Sequence, residues 1–329
     1  MSSRVRLARN LAGFPFPNAA DNEERQDVLD LVTRAAAGAE LAPNLVTLEL
    51  ARLPDVDRYA LVERHLISKQ LAHGDAPRAV ILSSPDEWLS VMINEEDHLR
   101  IQAIHAGLDV RAAHTAADAV DDKLESRIDY AYSNELGYLT ACPTNVGAGI
   151  RVSVMLHLPA LRLTGDIDKV RRAVKDMKHT VRGFYGEGSD VVGDFYQISN
   201  HTTLGKTEGE IVDFMETQLA PTIIGYERKA REKMLNARRT HLEDKVHRAF
   251  GALLHARLLT SDEALEKLSL VRFGVLCGVL KGPDPRVVND LILLTQPAHL
   301  QRVSGRTMEQ GERTVARASL VRQRLGAAT

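Results

Sequence analysis

Apolar residues between Ala79 and Ile104 come in short bursts, AVILS, WLSVMI and HLRIQAI, divided by polar stretches that carry proline or clustered charge. Bursts this short, rich in β-branched residues and bounded by turn formers, predict strands. The pattern predicts strands at 4–7, 45–50, 79–83, 88–93, 98–104, 150–156, 180–184 and 194–198. Apolar residues three and four apart predict helices at 23–37, 55–66, 110–128 and 166–177. Strands 88–93 and 98–104 are close enough to form a hairpin with NEED as its turn. Because several strands follow one another with no helix between, an antiparallel sheet with helices on it is favoured over a doubly wound one, and the expected class is α+β. After Thr207 the texture changes: Ile211, Phe214, Met215 and Leu219 keep helical spacing, and long charged stretches follow. Breaks at Thr260-Ser261-Asp262, Gly282-Pro283 and Gln296-Pro297 mark successive helices. The expected division is therefore a mixed domain over 1–236 and an all-helical domain over 237–329.

The hairpin is unusual for its charge. Residues 94–100 read NEEDHLR directly after the apolar Val91-Met92-Ile93. Period-two alternation puts Glu96, His98, Arg100 and Gln102 on one face, with Leu99 and Ile101 toward a core. A salt-bridged, solvated sheet face would account for it; so would a face that meets a charged ligand.

Composition narrows the field. The chain has 329 residues, 44% hydrophobic and 26% charged, as expected of a globular protein. A formal net charge of -2 gives no basic field for nucleic acid or an anionic membrane. Apolar runs such as Val275 to Leu280 are too short for a bilayer, and MSSRVRLARN has no signal-peptide pattern, so a cytoplasmic protein is expected. Cys142 and Cys277 are too few for a disulfide framework or a four-thiolate zinc site, the histidines lack zinc-ligand spacing, and no metal ligand is assigned. Gly205-Lys206-Thr207 has Asn200 where a phosphate loop needs glycine, and GAG at 147–149 and GEG at 186–188 lack the third glycine of a dinucleotide fingerprint. What remains is arginine on strands: Arg4, Arg6, Arg100, Arg151 and Arg182. Guanidinium groups stay charged and grip phosphate bidentately, so five of them suit a polyanion; scattered surface arginines are the alternative.

NEEDHLR, CPTNVGAGIR, RGFYGEGS and YQISNHTTLGKTEGE together resemble the phosphagen kinases, and SSRVRLARN, RVSVMLHLPAL and VRGFYGEGSD more closely resemble the bacterial protein arginine kinases. The resemblance runs through nearly the whole chain. It implies an antiparallel sheet flanked by helices and transfer of the γ-phosphoryl of ATP, with Mg²⁺, to a guanidinium nitrogen. Carried over by motif, Arg4, Arg6, Arg100, Arg151, Arg182 and, in VERHLIS, His65 contact the nucleotide. Glu96 of NEED and Glu187 of YGEGS grip the guanidinium, and Cys142 of ACPTN is the reactive cysteine. Glu95 and Asp97 shape the turn or help place the metal. Cys277, in VRFGVLCGVL, is a core residue.

Small-substrate phosphagen kinases have a helical lid ahead of the first arginine strand, which here begins at residue 3, and Met155 stands where they have histidine. Both departures favour a protein arginine as acceptor; a free-arginine kinase and a non-catalytic phosphoarginine-binding adaptor are the alternatives. The start lies at the edge of SSRVRLARN, where the family has a short extra segment, so Arg4 is expected to be loosely held. In GERTVARASL, Arg313 and Arg317 lie one turn apart and resemble the family's phosphoarginine-binding motif, with Thr314 where an aspartate is usual. The resemblance further implies a homodimer formed through the helical domain, a zinc-binding activator protein, and protein substrates marked for a Clp-type ATPase and protease.

Overall fold

The computed structural model describes residues 1–183 and 192–326. Glu187 lies outside the described residues. The chain divides into two compact units: Met1–Met155 with Val174–Val181 and Ile198–Pro221, and Leu156–Ala173 with Arg182–Gln197 and Thr222–Thr329.

In the first unit, β1 (Ser2–Arg9) is built on alternation: Ser3, Val5, Leu7 and Arg9 are buried, and Arg4 and Arg6 are half-buried. Around it lie β2 (Leu45–Glu49), β3 (Ala79–Ser83), β4 (Leu89–Ile93), β5 (Leu99–Ala106), a small hairpin of β6 (Tyr132–Ser133) and β7 (Gly137–Tyr138), then β8 (Ile150–His157), β9 (His179–Arg182) and β10 (Phe195–Asn200). The main sheet runs β2-β3-β4-β5-β1-β8-β10-β9. From β2 through to β8 its pairings are antiparallel, as the sequence pattern predicts. Ile93 pairs with Leu99, and residues 94–98 make the expected turn, closed by the Asn94 amide donating to the His98 carbonyl (3.0 Å) with Asn94 at φ 58°.

Helices cover the two faces differently. On one, α1 (Asn22–Ala39), started by an Asp21–Glu24 capping box, packs on β4. On the other, α2 (Asp55–Glu63) and α3 (Lys69–Ala72) bury Leu61, Val62, Leu66 and Leu71 over Val80, Leu82 and Met92. Helix α4 (Val110–Glu125) shares the α1 side, setting Ala113, Ala117, Val120 and Leu124 against β1 and β5. Helix α2 stops at Glu63 rather than continuing to residue 66. The Leu66 amide donates to the Leu61 carbonyl (3.0 Å) and the His65 amide to that of Val62 (2.9 Å), with His65 at φ 61°. That is a Schellman closure with histidine in the left-handed position glycine usually takes.

Two short helices, α5 (Pro159–Thr164) and α6 (Ile167–Asp176), follow β8, and α7 (Glu208–Phe214) follows β10 behind a Thr207–Glu210 capping box. Beyond α8 (Ala220–Ala237) come α9 (Arg239–His255), α10 (Ser261–Leu276), α11 (Pro285–Leu294), α12 (Pro297–Ser304) and α13 (Gln310–Gly326). Thr260 caps α10, and Pro285 and Pro297 open α11 and α12, close to the breaks read from the sequence. Helices α9 and α10 approach closely at Gly274, where a Cβ would lie 2.3 Å from Val246 Cγ1. Among the described residues no helix is long and apolar enough to cross a membrane.

Candidate active site

Register brings the strand arginines together. Arg6 lies between Gln102 of β5 and Arg151 of β8, Arg4 pairs with Ser153, and Ala8 pairs with Arg100. Residues directly across antiparallel strands share a face, so Arg100, Arg6, Arg151 and Arg4 line one patch spanning three adjacent strands. It is the face that α2 and α3 cover over β3 and β4. Their cover ends where the patch begins: Ser90 Oγ donates to the Leu66 carbonyl (2.5 Å) and Gln102 Nε2 to the His65 carbonyl (2.8 Å).

Like charges crowd around Arg6 in this patch. Burial pushes the Arg6 pKa well below its ordinary value, and the charges of Arg4, Arg100 and Arg151 push the same way against the weaker pull of Glu95. Arg6 Nε is buried without a hydrogen-bond partner among the described residues. His65 stands beside Arg4 and Arg6. Burial and those two charges lower its pKa to about 3, so its ring is neutral. Such a surface suits an anion of several charges, such as the triphosphate tail of a nucleotide.

The NEED turn supplies the opposite charge. Arg100 reaches Glu95 Oε2 (2.5 Å) and Glu96 Oε2 (2.8 Å). Burial alone would depress the Arg100 pKa, but Glu95, Glu96 and Asp97 outweigh it and raise it. The Glu95 side chain is 2% exposed and that of Glu96 36%, so Glu96 is the one of this pair an incoming group reaches. Asp97, wholly buried, accepts from Asn10 Nδ2 (2.7 Å) and from the Ala141 amide (2.7 Å). The latter bond ties the turn to the residue before Cys142. The cysteine thiol lies 3.0 Å from Thr144 Oγ1, and its carbonyl accepts from Thr140 Oγ1 (2.8 Å) and the Asn145 amide (3.0 Å).

His98 departs from the alternation read from the sequence. It precedes β5 and takes no part in the charged face. The Leu11 amide donates to its Nδ1 (3.0 Å), which leaves Nε2 to donate to the Pro15 carbonyl (2.9 Å). Burial lowers its pKa to about 4. The ring is a neutral structural pin.

Arg182, half-buried, ends β9. Arg317 is 3% exposed, and its guanidinium donates to the carbonyls of Thr295 (2.6 Å) and Leu259 (2.9 Å). Arg313 donates to the Met308 carbonyl (2.7 Å), while the Thr314 hydroxyl donates to that of Gly311 (2.7 Å). Cys277 is half-buried with a pKa raised by burial.

Sequence reasoning missed Arg9. It follows Val5 and Leu7 in phase, so it points away from the arginine patch and is 1% exposed. Asp121 of α4 meets it at 2.6 Å, Glu208 at 3.4 Å, and its guanidinium lies 3.5 Å from the Tyr138 ring centre. Gly149 is required beside it, since at φ 63° a Cβ there would lie 2.5 Å from Arg9 Nη1. The missed signal was phase: an arginine in the apolar register of an amphipathic strand has to be paired. Nearby, His114, Asp118 and Glu208 bring ligand atoms within 4.8 Å of one another. Glu208 is already engaged by His114 (2.8 Å) and Arg9 (3.4 Å), which opposes a cation there.

Residues 27–230 match the ATP:guanido phosphotransferase C-terminal catalytic domain, and residues 239–329 the protein-arginine kinase McsB C-terminal domain. The protein-arginine kinase of Halothermothrix orenii is 44% identical over 325 residues, covering 99% of this chain and 92% of that one. That of Desulforamulus reducens is 45% identical over 328 residues, covering 99% and 91%. Among solved structures, a lombricine kinase is similar at 26% identity and TM-score 0.58, over 69% of this chain and 65% of its own. A duplicated taurocyamine kinase from Schistosoma mansoni, carrying transition state analog components, has a similar fold at TM-score 0.62 and 24% identity, over 75% of this chain and 36% of its own. An arginine patch on an antiparallel sheet, a NEED turn tied to a cysteine and relatives this similar over more than nine-tenths of their length agree: the chain belongs to the protein-arginine kinase family.

Proposed function

We infer that this protein is an ATP-dependent protein-arginine kinase, which moves the γ-phosphoryl of ATP to arginine side chains of proteins. The observation that carries the reading is the patch of Arg4, Arg6, Arg100 and Arg151, charged, half-buried and bordered by the Glu96 carboxylate and the Cys142 segment. In this reading the four arginines, with Arg182 and His65, hold the triphosphate. They stabilise the charge that spreads over the transferring group in a loose transition state. A protonated guanidinium is a poor nucleophile. Glu96 and Glu187 orient it, and one of them takes its proton as the nitrogen–phosphorus bond forms and the bond from the γ-phosphorus to the bridging oxygen breaks, releasing ADP. The Cys142 sulfur adds negative charge beside the attacking nitrogen. ATP enters such reactions as its Mg²⁺ complex, the ion neutralising charge on the phosphates. Glu96 is the carboxylate of the turn that would suit it, since its side chain is accessible and Arg100 takes its Oε2.

The proposed division at 236/237 is supported by the two family matches, one ending at residue 230 and the other beginning at 239, and it falls in the last turn of α8. By the same family resemblance the helical part forms a homodimer and Arg313 and Arg317 bind phosphoarginine. A zinc-binding activator and a Clp-type ATPase and protease in the cytoplasm are the further partners of this reading.

The test is phosphate transfer from labelled Mg²⁺-ATP, offered in parallel to an unfolded arginine-containing protein and to L-arginine, with products mapped under conditions that spare the acid-labile P–N bond. Label on protein arginines is expected. Label on L-arginine alone would assign a small-guanidine kinase, and no label on either would overturn the kinase reading. Cys142→Ala and Glu187→Gln should each abolish transfer, and undiminished turnover by either would remove that residue from the mechanism.

A further inference from the structure

Residues 200–208 lead from the end of β10 into α7, within the first unit, and they are fastened to the segment that carries Cys142. Asn200 fixes one end on β8: its Oδ1 accepts from the Val152 amide (2.8 Å) and its Nδ2 donates to the Ile150 carbonyl (3.1 Å). At the other end Glu208 meets His114 (2.8 Å) just inside the Thr207–Glu210 capping box. Between these ends Thr203 turns inward. It is 1% exposed, while His201, Leu204, Gly205 and Lys206 are all exposed. Its hydroxyl donates to the Val146 carbonyl (2.8 Å), and the Thr144 carbonyl lies 3.3 Å from the same oxygen. The two backbones also touch there: Gly147 has φ 108°, and a Cβ on it would lie 2.9 Å from Leu204 Cα and 3.2 Å from the Thr203 carbonyl oxygen.

The Cys142 turn is tied at its start by the bond from the Ala141 amide to Asp97 and at its close by Gly147, which exchanges backbone bonds with Tyr138 (2.9 and 3.4 Å). Thr203 fastens the stretch between them. Thr144 is the residue that links this grip to the sulfur, because its carbonyl faces Thr203 and its own hydroxyl lies 3.0 Å from Cys142 Sγ. Releasing the two carbonyls frees the backbone of residues 144 and 146 and, with it, the hydroxyl that meets the thiol. A turn held only by its own short-range bonds samples more positions than one braced from another part of the chain.

We propose that Thr203 is a positioning residue of the phosphotransfer reaction: by holding the carbonyls of Thr144 and Val146 it sets the place of the Cys142 sulfur, and it takes no part in holding ATP. The proposal rests on the functional reading above, in which that sulfur stands beside the attacking nitrogen. Misplacing a reactive group by about an ångström costs up to about 100-fold in rate, which sets the scale of the effect.

Thr203→Val, Thr203→Ala and Thr203→Ser would be compared in the full-length protein, with Val32→Ala in α1 as a stability control. Valine keeps the shape of threonine and removes the donor. Alanine and serine differ from one another only by the hydroxyl, so that pair repeats the comparison at smaller size. Two readouts are needed: amide exchange of residues 141–147, and kcat with the KM for ATP. Thr203→Val and Thr203→Ala are expected to speed exchange at 141–147 and to lower kcat about 10- to 100-fold, with the KM for ATP unchanged. Thr203→Ser, which keeps the donor, should restore both readouts. Val32→Ala, which trims a fully buried side chain, should lower the melting temperature and leave both readouts as in the wild type. Wild-type exchange or kcat in the variants without a donor, no recovery with serine, or the same pattern in Val32→Ala would overturn the proposal. If the wild type phosphorylates no protein arginine, the functional reading falls and takes the proposal with it. If it does, and Thr203→Val turns over at the wild-type rate, the reading stands and the proposal alone falls.

Discussion

Replacing Arg6 by methionine should make the protein more stable and unable to hold ATP. Arg6 carries a charge beside Arg4, Arg100 and Arg151, with Glu95 as its opposing carboxylate, and burial already disfavours that charge. At an effective dielectric of about 20 and a separation of about 8 Å, each like-charged neighbour costs ~2 kcal/mol. Three such repulsions less one attraction come to ~4 kcal/mol, and letting the side chains fan apart halves that to ~2 kcal/mol. Methionine keeps the unbranched stem, so packing against the sheet is retained. For a chain this large the gain should raise the melting temperature of the nucleotide-free protein by about 4 °C. The same change removes a charge-assisted bond to phosphate, ~3 kcal/mol or about 150-fold in Kd. Thermal melts with and without Mg²⁺-ATP give both numbers. Nucleotide at about 100 times its Kd stabilises the wild type by ~2.7 kcal/mol, and the variant should lose nearly all of that shift. A variant that melts lower than wild type when nucleotide-free and still gains the full ATP shift would refute the reasoning, because Arg6 would then be paired within the protein.

Other parts of the molecule give predictions of different sign. Arg9→Met should destabilise by ~3–5 kcal/mol, since it strands the buried Asp121, whereas Arg9→Met with Asp121→Leu should recover most of the loss; chemical denaturation of both variants checks this, and an additive double mutant would show the pair is not coupled. Asp97→Ala frees the Ala141 amide and should lower kcat about 10- to 100-fold through the Cys142 segment, with ATP affinity little changed, as measured by turnover and nucleotide titration. His98 has its folded pKa depressed from 6.5 to about 4. The unfolded chain therefore takes up the proton first, and stability is complete above about pH 6.5 and lost as pH falls toward 4, by up to ~3 kcal/mol. A denaturation series over that range, flattened in His98→Gln, is the expected result, and an equal slope in both proteins would assign the loss to other groups.

Much of the site could be read along the chain because its chemistry follows strand alternation. Arg4 and Arg6 differ from Val5 and Leu7 by one residue of phase, and the register then sets Arg6 against Arg151 without any further information from side chains. The NEED turn was legible for the same reason, since the apolar bursts on either side fix its ends. His65 and His98 show where local pattern fails. His65 looked like the interior of a helix, yet a Schellman closure ends α2 and turns the residue toward the arginines. His98 looked like a member of the charged face, yet it is spent on Leu11 and Pro15, residues far from it in sequence. The hold of Thr203 on the Cys142 turn was invisible because up to 59 residues separate the partners and the acceptors are backbone carbonyls, which no residue type marks.

Arg9 and Arg6 show why one arginine of β1 was taken for function and the other overlooked. They sit three residues apart on opposite faces of the same strand, and burial disfavours the charge of both. For Arg9 the protein supplies the counter-charge itself, with Asp121, Glu208 and the Tyr138 ring, and its pKa is raised. For Arg6 the nearest charges are mostly of its own sign, and its pKa is lowered. A buried guanidinium that the fold neutralises is a structural element, and replacing it with its partner by apolar residues should cost little. One that the fold leaves among like charges costs stability in the absence of ligand, and an incoming anion recovers that cost as binding energy. The composition of the strand is therefore silent on the difference. What separates the two is which face receives a carboxylate from α4, and that is decided by the packing of a helix about a hundred residues further along the chain.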